Sequence, residues 1–274
     1  NWSSKFVTPE NCYYVTVTMA ESDIETAMLV KGSSVPLEYV PFVTYELSER
    51  VLPISKIKEI IQSMAGVGSN LSGLKWNALG DSITNGYGHT PYHAFIAKNK
   101  GMSLVRNYGI SGNKLATDSG GVGIPMCIRY AEMDDDADII TVMGGTNDQT
   151  YGVPLGVMSD RTVDTFYGSL HVLILGLIEK YPGKVIAFFT PIQRQGCKNT
   201  NGFSESGLVK YVDAIIEVCA YYSIPCLDLF RNGGLQLDVP SIKEEYMTDG
   251  THPTSKGHEK VLARIIGGFL ESIC

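Results

Sequence analysis

The stretch KWNALGDSITNG, residues 75–86, combines a strand candidate with a Gly-Asp-Ser turn. KWNALG is a short and mostly apolar run, whereas Asp81 and Ser82 are residue types that favour turns and helix starts, because their side chains hydrogen-bond to nearby backbone groups. Ser82 is therefore either a helix cap or a nucleophile. The stretch alone leaves both interpretations open, and the rest of the chain has to distinguish them.

Short apolar runs alternate with amphipathic segments from residue 75 to the end of the chain. The other strand candidates are SLVRNYG, DIITVMGG, KVIAFFTP and IPCLDLF, at residues 103–109, 138–145, 184–191 and 224–230. Helical spacing of apolar residues is clearest in residues 162–181 and 255–273. This alternation predicts a parallel sheet with helices on both faces and right-handed crossovers.

The first 72 residues have a different character. Residues 13–19, YYVTVTM, are rich in β-branched and aromatic residues, and residues 27–42 add a second short strand, a Gly-Ser turn and two prolines. A helical piece at residues 54–64 and a linker of small residues follow. We predict a β-rich N-terminal segment over residues 1–72, with too few strands to close a sandwich of its own, and a second domain over residues 73–274.

Composition limits the function classes. The chain has 274 residues, of which 44% are hydrophobic and 19% charged, and its net charge is −7. With that charge and no Lys/Arg cluster interleaved with aromatic residues, nucleic acid is not an expected partner. The longest apolar runs are shorter than the roughly 20 residues that cross a bilayer, so no membrane span is expected.

Four polar stretches follow strand candidates, which is where parallel sheets place their chemistry. They are GDS (residues 80–82), NYGISGN (107–113), GGTND (144–148) and DGTHP (249–253). Each stretch by itself is also consistent with an ordinary turn. Together they supply the residue types that nucleophilic catalysis requires.

A serine hydroxyl becomes a good nucleophile only when a base removes its proton, and the base needs a partner that fixes its tautomer. Asp249 and His252 lie three positions apart, so one short turn can hold the carboxylate near one imidazole nitrogen while the other nitrogen faces Ser82. Acyl transfer also needs donors for the oxyanion. The backbone N–H of Ser82, the N–H of a glycine and the side-chain amide of Asn147 are candidates.

In this order, the four stretches resemble the sequence blocks of the SGNH hydrolase superfamily, also called GDSL esterases and lipases, over residues 75–274. The resemblance implies a flavodoxin-like three-layer α/β/α sandwich with a five-stranded parallel sheet. It implies that Ser82 is the nucleophile, His252 the base and Asp249 the acid that orients it. It also implies an oxyanion hole formed by Ser82, Asn147 and Gly112, with Gly109 as the alternative glycine.

The function implied is that of a serine esterase acting through an acyl-enzyme, without cofactor or metal. Residues 13–42 resemble β-modules that precede such domains in phage tail and Gram-positive surface proteins. That second resemblance implies an extracellular, cell-surface or phage-tail location, and a short-chain or O-acetyl ester of a carbohydrate as substrate. The alternatives are a lysophospholipase or thioesterase of the same fold, and a non-catalytic glycan- or receptor-binding module.

Other polar groups have simpler interpretations. His89 and His93 are four residues apart, but a proline separates them and no third ligand is near, so we expect no metal there. His89 is instead a candidate for the mouth of the site, and His171 and His258 are expected in surface or packing roles. The acidic run at residues 132–138 is expected to be a solvated loop, because it lacks the spacing of a calcium-binding loop.

The six cysteines form no CxxC pair, so we expect most of them to be small core residues. Pairing between Cys219 and Cys226 is left open by the sequence.

Overall fold

The computed structural model describes residues 14–16, 28–30, 69–117, 120–199, 202–203 and 207–274. The chain divides into two compact units, residues 1–67 and 68–274. In the first unit, β1 (Tyr14–Thr16) pairs antiparallel with β2 (Met28–Val30). The predicted helical piece at residues 54–64 lies outside the described residues.

The second unit is built on a five-stranded sheet. Its strands are β3 (Lys75–Gly80), β4 (Leu104–Gly109), β5 (Ile139–Met143), β6 (Val185–Phe189) and β9 (Cys226–Leu227). Their order is β4-β3-β5-β6-β9, and all four pairings are parallel. The flavodoxin-like sheet predicted from the sequence is therefore confirmed. A small antiparallel pair, β7 (Lys198–Asn199) and β8 (Gly202–Phe203), lies between β6 and β9 in sequence.

Helices connect the strands. They are α1 (Ser82–Asn85), α2 (Tyr92–Lys100), α3 (Met126–Arg129), α4 (Thr146–Thr150), α5 (Phe166–Lys180), α6 (Leu208–Tyr221), α7 (Leu229–Asn232), α8 (Pro240–Tyr246), α9 (Ser255–Gly257) and α10 (Ala263–Ile273). A 3-10 turn (Tyr130–Glu132) follows α3, and a π-helical turn (His258–Leu262) joins α9 to α10. The predicted helix at 162–181 begins later, at Phe166, because the Thr165 side chain accepts the N–H of Gly168 and caps it there.

Two apolar cores cover the two faces of the sheet. One contains buried residues of α3, α5 and α6 packed on Leu79, Val142 and Phe188. The other contains residues of α2 and α10 packed on Trp76 and Phe189. Because successive side chains of a strand point to opposite faces, these cores lie on opposite sides of the sheet and produce three layers. Leu71 is fully buried in the second core.

The acidic run lies where the strands begin, away from their carboxyl ends, and its four aspartates are paired with cations. Arg106 bridges Asp134 at 3.1 Å and Asp136 at 2.7 Å. Lys180 pairs with Asp135 and Lys184 with Asp138. Across the described part of the chain, no three His, Cys, Asp or Glu side chains come together in a way that could hold a metal ion.

Within the described ranges, no helix combines the length and the apolar composition needed to cross a bilayer. Cys219 in α6 and Cys226 in β9 are hydrogen-bonded neighbours and carry free thiols.

Candidate active site

The carboxyl ends of β3, β4 and β5 bring three of the four polar stretches to one edge of the sheet. In register, Gly80 lies opposite Gly109 on one side and Met143 on the other. Ser82, Gly112 and Asn147 follow these strand ends within a few residues. The fourth stretch, residues 249–253, lies between α8 and α9.

The turn from β3 into α1 presents Ser82. A Cβ at Gly80 would overlap the Thr84 hydroxyl and lie 2.9 Å from Met143 O, so only glycine fits this close approach. Asp81 caps α1, because its Oδ1 accepts the N–H of Ile83 at 3.0 Å. The helix cap is therefore Asp81, and the hydroxyl of Ser82, the first residue of the helix, is free for another partner.

That partner is His252. Ser82 Oγ lies 2.9 Å from His252 Nε2, and His252 Nδ1 lies 2.8 Å from Asp249 Oδ2. The other oxygen of Asp249 accepts the backbone N–H groups of Thr251 and His252, both at 2.8 Å. One short turn thus holds the carboxylate against the ring, as the three-residue spacing predicts.

The charge of Asp249 determines the tautomer of His252. Although partial burial acts to raise the pKa of Asp249, hydrogen bonds from the ring and backbone of His252 and from Thr251 outweigh it, and the pKa lies below its ordinary value. An ionised carboxylate only accepts hydrogen bonds, so Nδ1 of the neutral ring carries the hydrogen and Nε2 presents its lone pair to the hydroxyl of Ser82.

The turn that carries Asp249 and His252 is tied to the rest of the domain. The N–H of Thr248 donates to His252 O at 2.7 Å, and Met247 and Pro253 form an antiparallel bridge. The N–H of Gln195, from the segment after β6, donates to Gly250 O at 2.7 Å. These backbone contacts hold the turn in register with the carboxyl end of the sheet.

Tyr87 covers one face of the His252 ring. Its ring stacks on the imidazole of His252 with centroids 3.7 Å apart and planes 11° from parallel. Its φ is +48°, which is a costly value for a bulky residue, and 47% of its surface remains exposed. The sequence pattern does not predict this contact, because a lone tyrosine in a glycine-rich turn has no periodic signal.

The side-chain amide of Asn147, in α4, makes one hydrogen bond with the described residues. Its Nδ2 donates to Asn113 O at 3.0 Å, which leaves the second hydrogen of the amide for another acceptor. The N–H of Gly109 is occupied, because it donates to Asn107 Oδ1 at 2.8 Å. Among the described residues no acceptor faces the N–H of Gly112, whose φ is +75°.

A layer of buried charge lies beneath these loops. Asp148 accepts the N–H groups of Leu115 and Ala116 at 2.9–3.1 Å and so joins α4 to the loop after β4. Burial raises the pKa of Asp148 to about 6, and burial with the nearby charge of Asp148 raises the pKa of Asp81 to about 7. The cations near this layer include Arg129 and Lys114, and the charge of Lys114 acts to lower the pKa of Asp148. The sequence pattern does not single out Arg129, because an arginine in a short helix is usually exposed.

The remaining histidines have other partners. His89 Nε2 lies 3.1 Å from Thr248 Oγ1, close to the turn that holds His252. His93 is buried, and its Nε2 bonds to Thr84 O at 3.0 Å. His171 is buried between Met158 O and the Tyr222 hydroxyl, and the buried His258 stacks on Tyr92. The last two histidines therefore have packing roles.

The chain is similar to known proteins in both sequence and structure. The profile of the GDSL-like lipase/acylhydrolase family matches residues 78–260. A crystal structure of a protein from Lactobacillus plantarum is 32% identical, with a TM-score of 0.65 over 74% of this chain and 99% of that one. No curated protein matches the sequence.

More distant structures share the fold. An acetyl xylan esterase from Geobacillus stearothermophilus is 22% identical, with a TM-score of 0.53 over 73% of this chain and 95% of that one. A carbohydrate acetylesterase family member from Sinorhizobium meliloti is 16% identical, with a TM-score of 0.50 over 73% of this chain and 98% of that one. The resemblance of residues 13–42 to phage tail and surface modules stays a prediction.

Proposed function

The chain belongs to the GDSL-like lipase/acylhydrolase family and is a serine ester hydrolase, and we propose that Ser82 is its nucleophile, His252 its base and Asp249 the acid that orients the base. The observation that carries the proposal is the continuous hydrogen-bonded chain from Ser82 Oγ through the imidazole to the carboxylate. No cofactor takes part in the proposed reaction.

The proposed reaction has two steps. His252 Nε2 takes the proton of Ser82 as Oγ attacks the ester carbonyl carbon, and the tetrahedral intermediate expels the alcohol, which receives that proton from His252. Water then loses a proton to His252 and attacks the acyl-enzyme. The acid leaves, and Ser82 Oγ regains its proton.

The oxyanion hole in this proposal consists of the backbone N–H groups of Ser82 and Gly112 and the amide of Asn147. Ser82 is the first residue of α1, so its N–H has no acceptor within the helix. Gly112 is preferred over Gly109 because the N–H of Gly109 already has an acceptor. The second hydrogen of Asn147 Nδ2 supplies the third donor.

We further propose that the substrates are short-chain esters, above all O-acetyl groups on a carbohydrate or cell-surface polymer. The base delivers its proton to the leaving alcohol, so the alcohol lies on the side of His252 and Tyr87. This side is open, since Tyr87 and Asp249 are each nearly half exposed, and it can accept a large polymer. The acetyl esterases of the same fold support this choice, as does the cell-surface or phage-tail location proposed from residues 13–42.

The test compares initial rates on p-nitrophenyl acetate, butyrate and octanoate with acetate release from an acetylated xylan. Ser82→Ala is the active-site variant. The control is Ser103→Ala, because Ser103 precedes β4 at the opposite end of the sheet and its hydroxyl donates to Leu74 O. We expect acetate to be the best acyl group, with activity lost in Ser82→Ala and kept in Ser103→Ala.

Other outcomes would contradict parts of the proposal. A clear preference for octanoate would favour a lysophospholipase or thioesterase. A folded parent protein that hydrolyses none of these esters but binds the glycan would favour the non-catalytic binding module.

A further inference from the structure

One buried guanidinium group contacts the two segments that carry Ser82 and Gly112, and through Asn113 it is linked to the segment that carries Asn147. Arg129, the last residue of α3, is only 8% exposed. Its NH2 donates to Gly80 O at 2.7 Å, its NH1 to Tyr108 O at 2.7 Å and its Nε to Asn113 Oδ1 at 2.9 Å. All three nitrogens of the guanidinium group thus donate a hydrogen bond, each to a different residue.

Each acceptor is close in sequence to a proposed oxyanion donor. Gly80 precedes the N–H of Ser82 by two residues, and Asn113 directly follows Gly112. Asn113 has a second link, because its backbone O accepts the amide of Asn147 at 3.0 Å. Arg129 therefore bonds directly to the strand end before Ser82. It is linked to the amide of Asn147 by two hydrogen bonds, both made by Asn113.

Asn113 extends the network to the outer part of the loop. Its Nδ2 donates to Val122 O at 2.6 Å and to Ile124 O at 2.9 Å. The N–H of Val122 in turn donates to Gly112 O at 3.2 Å. The fully buried side chain of Asn113 thus fixes the turn that aims the N–H of Gly112, and Arg129 fixes Asn113.

We propose that Arg129 is the positioning residue of the oxyanion hole, which holds the N–H groups of Ser82 and Gly112 and, through Asn113, the amide of Asn147 in one arrangement. This inference rests on the proposed function, because it takes the three donors from it. Arg129 itself does not touch the substrate.

The chemistry of arginine suits this role. A planar guanidinium presents donors in a fixed geometry, whereas a lysine ammonium is a single point on a flexible chain. The charge remains at neutral pH, because burial lowers the pKa of Arg129 only to about 10. Burying a cation has a desolvation penalty, and the nearby carboxyl of Asp81 partly offsets that penalty.

The first experiment measures kcat and KM for Arg129→Lys on p-nitrophenyl acetate. We expect kcat to fall about tenfold to a hundredfold with little change in KM, since donors that are misplaced by about an ångström lose transition-state stabilisation. The matched control is Arg231→Lys. Arg231 also bonds two partners, Asp213 and Asp228, but lies among the residues of α6 and α7 and should keep the parent kcat.

The second experiment is a double-mutant cycle with Asn147→Ala. If Arg129 acts through the donors, its substitution costs less once one of them is gone, so the loss of kcat is at least about threefold smaller in the Asn147→Ala background. Equal losses in both backgrounds would indicate a general structural role and would overturn the proposal. So would an unchanged kcat in folded Arg129→Lys.

A second variant keeps the test decisive if Arg129→Lys does not fold. Asn113→Ala removes only the contact between Arg129 Nε and Asn113 Oδ1 and the two contacts of Asn113 Nδ2. It should show the same non-additivity with Asn147→Ala, and additive losses here would also overturn the proposal. The proposed esterase function is judged separately, by whether the parent activity is lost in Ser82→Ala.

Discussion

The two sides of Ser82 are built differently. On the base side, Asp249 and His252 lie on a surface turn, where the carboxylate is 42% exposed and an exposed tyrosine ring covers the imidazole. On the oxyanion side, Asn113 and Asp148 are fully buried. The base side is held mainly by local contacts within one turn, whereas the oxyanion side is held by long-range contacts between three strand ends.

This difference fits the two proposed tasks, which are proton transfer by the base and stabilisation of the oxyanion. A base that exchanges protons with water and with the leaving alcohol needs access to solvent, and a contact three residues away is enough to orient its ring. Donors to an oxyanion stabilise the transition state only if they are already in place, because reorienting them during the reaction would remove the gain. Rigid placement of that kind requires buried hydrogen bonds from several directions.

The largest effect is expected on the base side. His252→Ala should lower kcat by about 10⁴- to 10⁶-fold, because among the described residues His252 is the side chain that Ser82 Oγ contacts and that can accept its proton. The measurement is kcat on p-nitrophenyl acetate. A loss of the same size in His89→Ala, whose ring bonds to Thr248 beside the same turn, would contradict the assignment of the base.

A smaller loss is expected on the oxyanion side. Asn147→Ala should lower kcat by about a hundredfold to a thousandfold, because one of three donors is removed while nucleophile and base remain. Asn70→Ala is the control, since the exposed side chain of Asn70 donates to Glu271 O, outside the site. A loss that appears in KM instead of kcat would mean that Asn147 binds the ground state.

A modest effect is expected for the ring that covers the base. Tyr87→Asn should lower kcat/KM by roughly threefold to tenfold, the range that corresponds to one aromatic contact. Asparagine is chosen because it tolerates the positive φ of this position, so the backbone is preserved. Tyr87→Phe keeps the ring stacked on His252 and should retain the parent kcat/KM. If Tyr87→Phe loses as much kcat/KM as Tyr87→Asn, the hydroxyl is responsible instead of the ring.

Substitution of the buried Asp81 is expected to have the smallest effect on kcat but a clear effect on the free energy of unfolding. Because the folded-state pKa of Asp81 is about 7, the folded protein keeps a proton that the unfolded chain loses near pH 4. The free energy of unfolding therefore falls as the pH rises through this window. Asp81→Asn cannot lose that proton, so its stability relative to the parent should increase between pH 5 and pH 8, as measured by urea unfolding.

The control for this pH effect is Asp160→Asn. Hydrogen bonds from the N–H of Val157 and the hydroxyl of Thr165 lower the pKa of Asp160, so it stays ionised throughout that range. Its substitution should change stability by the same amount at both pH values. If Asp160→Asn gains as much stability relative to the parent at pH 8 as Asp81→Asn does, Asp81 is not the origin of the pH dependence.

Much of the fold and half of the site could be read from the sequence. The five strands were predictable because buried parallel strands are short apolar runs bounded by polar turns, and their order in the chain predicts the crossovers. Asp249 and His252 were predictable because their contact is local. The family relationship of residues 78–260, expected from the four polar stretches, is confirmed.

Arg129, Asn113 and Tyr87 could not be found in this way. Arg129 is 49 residues from Gly80 and 21 from Tyr108, and no local pattern marks an arginine that will be buried. Tyr87 meets His252 only because the turn after α1 and the turn before α9 come together above the sheet.

The sequence by itself thus determined the layered α/β fold, the family and the residue types of the reaction, since these depend on periodicity and on contacts between near neighbours. The tertiary structure alone decided that Asp81 instead of Ser82 caps α1, that the N–H of Gly109 is occupied, and that a buried arginine joins two strand ends and the loop after β4. The physical reason is that the direction of a hydrogen bond between distant segments is set by how the strands are placed in the sheet, and a linear pattern does not contain that placement.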